Sequence, residues 1–167
     1  AHLQRMITLG TEVDMVILDY GDLLRDVNNN KEVRHALGNI YEDLRGLAGE
    51  YEIPVWTASQ ANRSALEEDV IQAEKVAESY QKVMTADFVV SLSRKVGDKI
   101  ANTGRFHIIK NRFGPDGITL PAKVNTNNGS IDIYDGSSQN GQEQQGKMNN
   151  QEEYVRKQLA QKYKDLG

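Results

Sequence analysis

A carboxylate at the end of an apolar run is the first feature of the sequence that could take part in chemistry. Asp19 directly follows the run Val16-Ile17-Leu18, and such a run predicts a buried strand. A strand end holds a carboxylate rigidly, so Asp19 could orient Mg²⁺ on the phosphates of a nucleotide, usually through water. Apolar strands that end in Asp for structural reasons are common, so this alternative stays open for the motif taken alone.

Polar side chains also follow the apolar segment 53–58, in the order Ser59, Gln60, Ala61, Asn62 and Arg63. The amide of Gln60 can donate to a phosphate oxygen and accept from a water molecule, so it could report whether a γ-phosphate is present. Functional groups in α/β sheets gather at the carboxyl ends of the strands, which predicts that Gln60 and Asp19 share one rim. The structural alternative is that Asn62 and Ser64 only cap the next helix.

A pair of cations forms the third candidate group. Lys110 and Arg112 are two positions apart, which places them on the same face of a strand, and the turn 114–117 follows them. Arginine is suited to bidentate phosphate contact and to charge that develops in a transition state. The pair is therefore a candidate grip on phosphate.

The charges around this pair are unevenly distributed. The segment 94–112 carries six cations against Asp98, a net charge of +5 in a chain of net charge −4. A local basic face on an acidic domain predicts phosphate recognition at one site. A solvated hairpin with scattered Lys and Arg is the alternative.

The composition of the 167-residue chain limits the remaining classes of function. A hydrophobic content of 38% is enough for one core. There is no cysteine, which excludes disulfides, thiolate zinc sites, iron–sulfur clusters and a cysteine nucleophile. No apolar run is long enough to cross a bilayer, and no secretory signal is visible. We therefore expect no membrane partner.

Several elements are expected to position these groups. Apolar residues recur at helical spacing in one long stripe, which predicts a helix lying on a sheet: Val33, Leu37, Ile40, Leu44, Leu47 and Tyr51. The capping box Ser64-Ala65-Leu66-Glu67 predicts the start of a second helix that continues to Met84. Strands are predicted at 13–19, 53–58, 86–92, 106–109 and 118–124, and a short edge strand at 131–133.

This order of elements predicts an α/β fold with a mostly parallel sheet, flanked by helices and edged by an antiparallel hairpin. The expected organisation is a domain over 1–135, a flexible linker over 136–150, whose composition is polar and aperiodic, and a carboxyl-terminal helix over 151–167. Residues 1–10 are typical of the last turns of a helix. We therefore expect the chain to lack an amino-terminal part.

In combination, the three motifs resemble the DnaB family of replicative helicases, which belongs to the RecA-like P-loop ATPases. Leu18-Asp19-Tyr20 resembles the family's Walker B motif, and Ser59-Gln60-Ala61-Asn62-Arg63 with the preceding Ile53-Pro54-Val55 resembles its third helicase motif. Lys110-Asn111-Arg112 resembles its fourth motif. The likeness covers residues 1–134 and implies a RecA-like ATPase core.

The resemblance implies roles for individual residues. Asp19 would orient Mg²⁺, and Gln60 would couple the phosphate state of ATP to the DNA-facing side. Arg112 would be an arginine finger that reaches the nucleotide of a neighbouring subunit, with Lys110 beside it. The implied catalytic set is therefore Asp19, Gln60 and Arg112, and the implied cofactors are ATP and Mg²⁺.

The resemblance also implies partners. The segment 77–87 aligns with the family's central DNA-binding loop, so Glu78, Ser79 and Lys82, together with Arg63, are expected to contact single-stranded DNA. The family works as a ring of identical subunits, so a hexamer is expected. Primase or a helicase loader is the expected partner of the tail helix, and the cytoplasm of a bacterial or phage-infected cell is the expected location.

The sequence departs from the family pattern at several positions. It has no G-x-x-x-x-G-K-[ST] motif, so we expect this chain alone to be inactive as an ATPase. Gly21-Asp22 stands where the family usually has Leu-Gln, and Ala77 stands where the DNA loop usually starts with Arg. Two other functions therefore stay open: a strand-exchange or clock-type RecA relative, and an interaction module that keeps the fold without hydrolysis.

Overall fold

The computed structural model describes residues 2–26, 32–62, 68–73 and 80–165. The chain divides into two compact units, and each is described by itself. The first unit is formed by residues 1–60 and 76–86, and the second by residues 61–75 and 87–167.

Within its described residues, the first unit contains three α-helices and a two-stranded parallel sheet. A single 3₁₀ turn, Gly21–Leu23, follows the first strand. The elements in chain order are α1 (His2–Thr8), β1 (Val16–Leu18), α2 (Val33–Tyr51), β2 (Val55–Thr57) and α3 (Tyr80–Thr85).

Helix α2 supplies the core of this unit, and its observed bounds match the predicted stripe. Leu37, Ile40 and Tyr41 are buried together, and Leu44 packs against them. Burial of each large apolar side chain contributes roughly 1.5–3 kcal/mol, so this face rather than intrinsic propensity holds the helix in place. The helix ends at Glu52, whose left-handed backbone (φ 54°) breaks the helical repeat two residues before Pro54.

In the part of the second unit that the structure describes, a four-stranded antiparallel sheet of order β3-β4-β5-β6 is accompanied by two α-helices. Its elements in chain order are β3 (Phe88–Ser93), α4 (Val96–Ala101), β4 (Thr103–Asn111), β5 (Thr119–Asn125), β6 (Ser130–Ile133) and α5 (Gln139–Asp165). The predicted hairpin and edge strand are confirmed as β4, β5 and β6.

The prediction of a mostly parallel sheet is wrong for the described strands. Only β1 and β2 pair in parallel, whereas β3 runs antiparallel to β4. The connection from β3 to β4, residues 94–102, is shorter than the roughly dozen residues that a parallel crossover needs. Connection length therefore decided the strand direction that the apolar pattern left open.

A helix replaces the flexible linker predicted at 136–150. Helix α5 begins at Gln139 and continues to Asp165. Ser138 caps its first turn by accepting the Gly141 N–H at 3.0 Å, and a Cβ at Gly141 would lie 2.0 Å from the Asp135 carbonyl oxygen. Met148 is 1% exposed, so burial of one apolar side chain anchors a segment whose composition is otherwise polar.

The helix predicted from Ser64 to Met84 is also not continuous. Residues 68–72 are not helical, and the described helical part is α3. Two serines of β3 donate to backbone carbonyls of this segment, Ser93 to Asp69 at 2.8 Å and Ser91 to Ile71 at 3.1 Å. These hydrogen bonds satisfy carbonyl groups that would otherwise be paired within a helix.

His107 on β4 makes the stability of the second unit pH-dependent. The residue is 4% exposed and hydrogen-bonds Thr119 through Nδ1 at 2.9 Å, and burial lowers its pKa below the ordinary value of 6.5. A lowered pKa means that the unfolded chain binds the proton more tightly. The contribution of neutral His107 to the free energy of unfolding is therefore complete above pH 6.5 and is lost as the pH falls below that value.

We expect the stability of His107→Asn to depend less on pH between 6.5 and 5 than that of the unaltered chain. Urea unfolding at several pH values measures this, with the exposed His35, changed to Asn, as the matched control. Equal pH slopes for the unaltered chain and His107→Asn would contradict the assignment.

Candidate functional site

The rim of the parallel pair brings two of the predicted site residues close in the first unit. Val16 aligns with Val55 and Leu18 with Thr57, so the two strands end side by side. Asp19 follows β1 and is exposed. Gln60 follows β2 and donates from Nε2 to the hydroxyl of Tyr20, the neighbour of Asp19, at 3.0 Å. The rim therefore presents a carboxylate and an amide to solvent.

Thr57 fixes the separation of the two strand ends. Its hydroxyl donates to the Leu18 carbonyl at 3.0 Å and accepts the Gly21 N–H at 2.7 Å. A Cβ at Gly21 would lie only 3.1 Å from the Tyr41 hydroxyl oxygen, so a glycine lets the backbone approach Tyr41 and Thr57 closely. The sequence contained no signal for Thr57, since its role depends on which strand lies beside it.

A polar cluster built around the buried side chain of Lys82 lies next to the rim. The Nζ atom of Lys82, on α3, is 2.8 Å from Oδ1 of Asp22, and the two side chains are 3% and 16% exposed. The same Oδ1 accepts the Tyr41 hydroxyl at 2.8 Å, and Oδ2 accepts the Ser59 hydroxyl at 3.1 Å. We call these four residues, Asp22, Tyr41, Ser59 and Lys82, the rim cluster.

The prediction that Lys82 contacts DNA does not fit this arrangement. Its ammonium group is buried against Asp22 and lies 5.5 Å from the centre of the Tyr41 ring. A phosphate contact would require the loss of both interactions and the exposure of a buried carboxylate. The Lys82 side chain forms its contacts within the first unit, although a lysine at this position suggested a surface contact with DNA.

The rim cluster also alters the acidity of Tyr41. Burial is the main cause of a raised pKa for its phenol, and the hydrogen bond to the Asp22 carboxylate adds to the effect. Tyr41 therefore stays protonated and acts as a donor, never as a base, at neutral pH. Sequence reasoning missed a role for Asp22 and for Tyr41, although Gly21-Asp22 is one of the departures from the family pattern.

The two cations of the third motif lie in the second unit. Lys110 is in β4, opposite Val89 of β3, and Arg112 follows the end of β4. The Arg112 side chain is 48% exposed, and its guanidinium bonds the Asp87 carboxylate at 2.7 Å. The Arg112 backbone N–H donates to the Asp87 carbonyl at 3.0 Å. Arg112 is thus held by two contacts to Asp87 at the start of the hairpin turn.

Much of the predicted basic face serves internal contacts instead. Arg105 pairs with the carboxylates of Asp98 and Glu152, and Lys95 pairs with Asp69. Arg94 donates to the Thr103 carbonyl at 3.0 Å. The contacts of Arg105 attach α4 and α5 to the sheet. The net charge of +5 for the segment 94–112 therefore overstates the number of cations that are available to bind a phosphate.

Three predicted DNA-binding residues lie outside the residues that the structure describes, namely Arg63, Glu78 and Ser79. Their predicted roles stay predictions. The remaining predicted residues fall into two groups, with Asp19, Gln60 and Lys82 in the first unit and Lys110 and Arg112 in the second.

The side chains at the rim suit Mg²⁺ that is bound together with a nucleotide. Within residues 2–26, 32–62, 68–73 and 80–165, no group of three His, Cys, Asp or Glu side chains could hold a metal ion. Mg²⁺ bound with a nucleotide keeps several waters and takes one or two carboxylates besides the phosphates, and the exposed Asp19 can serve as such a carboxylate. The residues suit an ion brought by nucleotide, not one bound by protein alone.

One segment has the spacing of a phosphate-binding loop but does not form one. The segment Gly141–Lys147 has the G-x-x-x-x-G-K spacing, but Met148 follows where a hydroxyl is required, and the segment lies inside α5 instead of forming a phosphate-binding loop.

In the described part of the chain, every helix is too short or too polar to pass through a lipid bilayer.

Polar groups at the carboxyl ends of parallel strands are typical of ligand sites in α/β proteins. The sequence model of the family "DnaB-like helicase C terminal domain" matches residues 1–126. The chain therefore belongs to this family, and the predicted resemblance is confirmed.

Solved structures show the same fold. The chain is similar to one described as an "ATPase Domain", with a TM-score of 0.69 and 23% identity over 80% of this chain and 50% of that one. It is also similar to "The Structure Of A DnaB-Like Replicative Helicase And Its Interactions With Primase", with a TM-score of 0.65 and 24% identity over 75% of this chain and 32% of that one. The chain thus spans half or less of these chains. No curated protein matches it.

Proposed function

We propose that residues 1–135 form the carboxyl-terminal portion of an ATP-driven DNA helicase motor, which couples hydrolysis at subunit interfaces to the movement of single-stranded DNA in replication. The observation that carries the proposal is the rim at which Asp19 and Gln60 follow paired parallel strands. Membership of the DnaB-like helicase family supports it. The phosphate-binding loop of this motor would be supplied by further polypeptide.

The rim residues have distinct roles in this proposal. Asp19 is the Walker B acid that orients Mg²⁺ through water, and Gln60 responds to the γ-phosphate of ATP. The metal supplies charge neutralisation of the phosphates when it is bound. Gln60 would pass the phosphate state to Tyr20, since their side chains share a hydrogen bond of 3.0 Å.

Arg112 is the proposed arginine finger. Its position just after β4 leaves the side chain 48% exposed, and the adjoining Phe113 is 84% exposed. A half-exposed cation at a hairpin tip is suited to reach the nucleotide of a neighbouring subunit, with Lys110 as a second phosphate contact. The assembly in this proposal is a homo-oligomeric ring, a hexamer.

Single-stranded DNA is the proposed polymer substrate, contacted by the segment that contains Glu78 and Ser79 and by Arg63. Helix α5 remains a proposed surface for primase or a helicase loader. Because Met148 and Gln144 of this helix are buried within the second unit, we place the partner contact on its later turns, where Tyr154 is 56% exposed.

The test is ATP hydrolysis by the complete native polypeptide that contains this chain, measured with and without single-stranded DNA. We expect hydrolysis that DNA stimulates several-fold, and closed rings in electron micrographs. The isolated chain 1–167 is expected to show no hydrolysis, because it lacks the lysine and hydroxyl of a phosphate-binding loop.

Two results would contradict the proposal. Filaments on single-stranded DNA in place of rings would favour a RecA-type relative. A complete polypeptide that folds and assembles but does not hydrolyse ATP would favour a non-catalytic interaction module.

A further inference from the structure

A single buried cation connects α3 to both segments that form the rim. Lys82 Nζ lies 2.8 Å from Oδ1 of Asp22 and donates to the Ser59 hydroxyl at 3.1 Å. Asp22 follows Asp19 by one 3₁₀ turn, and Ser59 directly precedes Gln60. The side chain therefore contacts the stretch after β1 and the stretch after β2 together.

The geometry of the rim cluster leaves α3 little freedom to move. Both carboxylate oxygens of Asp22 are used, Oδ1 by Lys82 and by the Tyr41 hydroxyl and Oδ2 by the Ser59 hydroxyl. Separating Lys82 from Asp22 would leave the buried ammonium group without its counter-charge, and that cost is high. Lys82 therefore attaches α3 to both segments of the rim.

Helix α3 is also attached to α2 at two other points. Gln81 donates to the Glu42 carboxylate at 2.7 Å, and Arg45 donates to the Thr85 carbonyl at 2.5 Å. Gly38 allows this approach, since a Cβ there would lie 2.3 Å from Oε1 of Gln81. We call this short helix, which begins at Tyr80 directly after the segment proposed to hold DNA, the lever.

We infer that Lys82 and Asp22 are positioning residues that couple DNA binding to ATP hydrolysis, by connecting the lever α3 to Gln60 and Asp19. The inference rests on the proposed function and adds its regulation. Lys82 acts through other residues and touches no substrate.

The test uses three variants of the complete native polypeptide: Lys82→Met, Asp22→Asn and the two combined. The readouts are the Tm and the ratio of ATP hydrolysis rates with and without single-stranded DNA. Each single variant leaves one buried charge unpaired, so we expect a lower Tm. The double variant removes both charges and is expected to regain most of the lost Tm.

A role in coupling predicts that the DNA stimulation ratio falls towards one in all three variants, including the double variant. Lys157→Met, which breaks the exposed pair of Lys157 with Glu153, is the control and keeps the ratio. A double variant that regains the Tm and also the stimulation would overturn the inference, since the pair would then be structural only. An unaltered protein without DNA-stimulated hydrolysis would overturn the proposed function, and this inference with it.

Discussion

Replacement of Arg112 by alanine is expected to lower the kcat of DNA-stimulated ATP hydrolysis about 10³-fold or more, which is the range in which arginine fingers act. The side chain stands at a hairpin tip, is 48% exposed and forms an ion pair with the Asp87 carboxylate at 2.7 Å. An exposed pair of this kind is weak, so a nucleotide phosphate can compete for the guanidinium. The KM for ATP should change much less than kcat, because the contact forms chiefly in the transition state.

Assemblies that contain two different variants distinguish an arginine finger that acts on the nucleotide of a neighbouring subunit from one that acts within its own subunit. Neither Arg112→Ala nor Asp19→Ala should hydrolyse ATP alone, and a mixture of the two should regain part of the activity. The recovery is expected at interfaces that join an intact Asp19 to an intact Arg112 from different subunits. Arg156→Ala, on the exposed face of α5, is the control. Full activity of Arg112→Ala would refute the assignment.

Arg105→Met is expected to cost the second unit about 3–5 kcal/mol of unfolding free energy, the usual effect of breaking a buried ion pair. The Asp98 side chain is 0% exposed, and Arg105 is 9% exposed. Without the guanidinium, the Asp98 carboxylate keeps the Lys95 N–H at 2.8 Å and the Thr103 hydroxyl at 3.1 Å but loses its counter-charge. The Arg105 contact to Glu152 of α5 is lost as well.

Urea unfolding of the chain, followed by circular dichroism, measures this cost. Lys147→Met is the matched control, since it removes a cation from an exposed pair with Glu143 on the same helix. Exposed pairs contribute little, so the control should unfold at nearly the unaltered urea concentration. If Arg105→Met and Lys147→Met unfold alike, the buried network does not hold the helices to the sheet.

Local patterns in the sequence predicted elements well wherever one side of the element had to be apolar. The stripe from Val33 to Tyr51 coincides with α2 because only one helical face can enter a core. The strands β1 and β2 are shorter than predicted but lie in the predicted places. The position of the rim was also predictable from the sequence, because the carboxyl ends of neighbouring parallel strands lie at the same edge of a sheet.

Patterns failed where a distant contact outweighed the local composition. The polar segment 136–150 forms part of α5 because Ser138 caps it and Met148 is buried. Segment 68–72 is not helical, because carbonyls there accept hydrogen bonds from β3. The Ser138 cap is a local contact, but the burial of Met148 and the hydrogen bonds from β3 depend on residues remote in sequence, which periodicity does not detect.

By itself, the sequence determined the family, the α/β class and the identity of the groups at the strand ends, because motif spacing and apolar periodicity are local properties of the chain. Only the tertiary structure decided what the charged side chains do. Lys82 has the residue type of a phosphate ligand, yet it is buried against Asp22, and Arg105 supports the second unit from within. A charge takes its role from the dielectric and the partners around it, and these are set by residues remote in sequence.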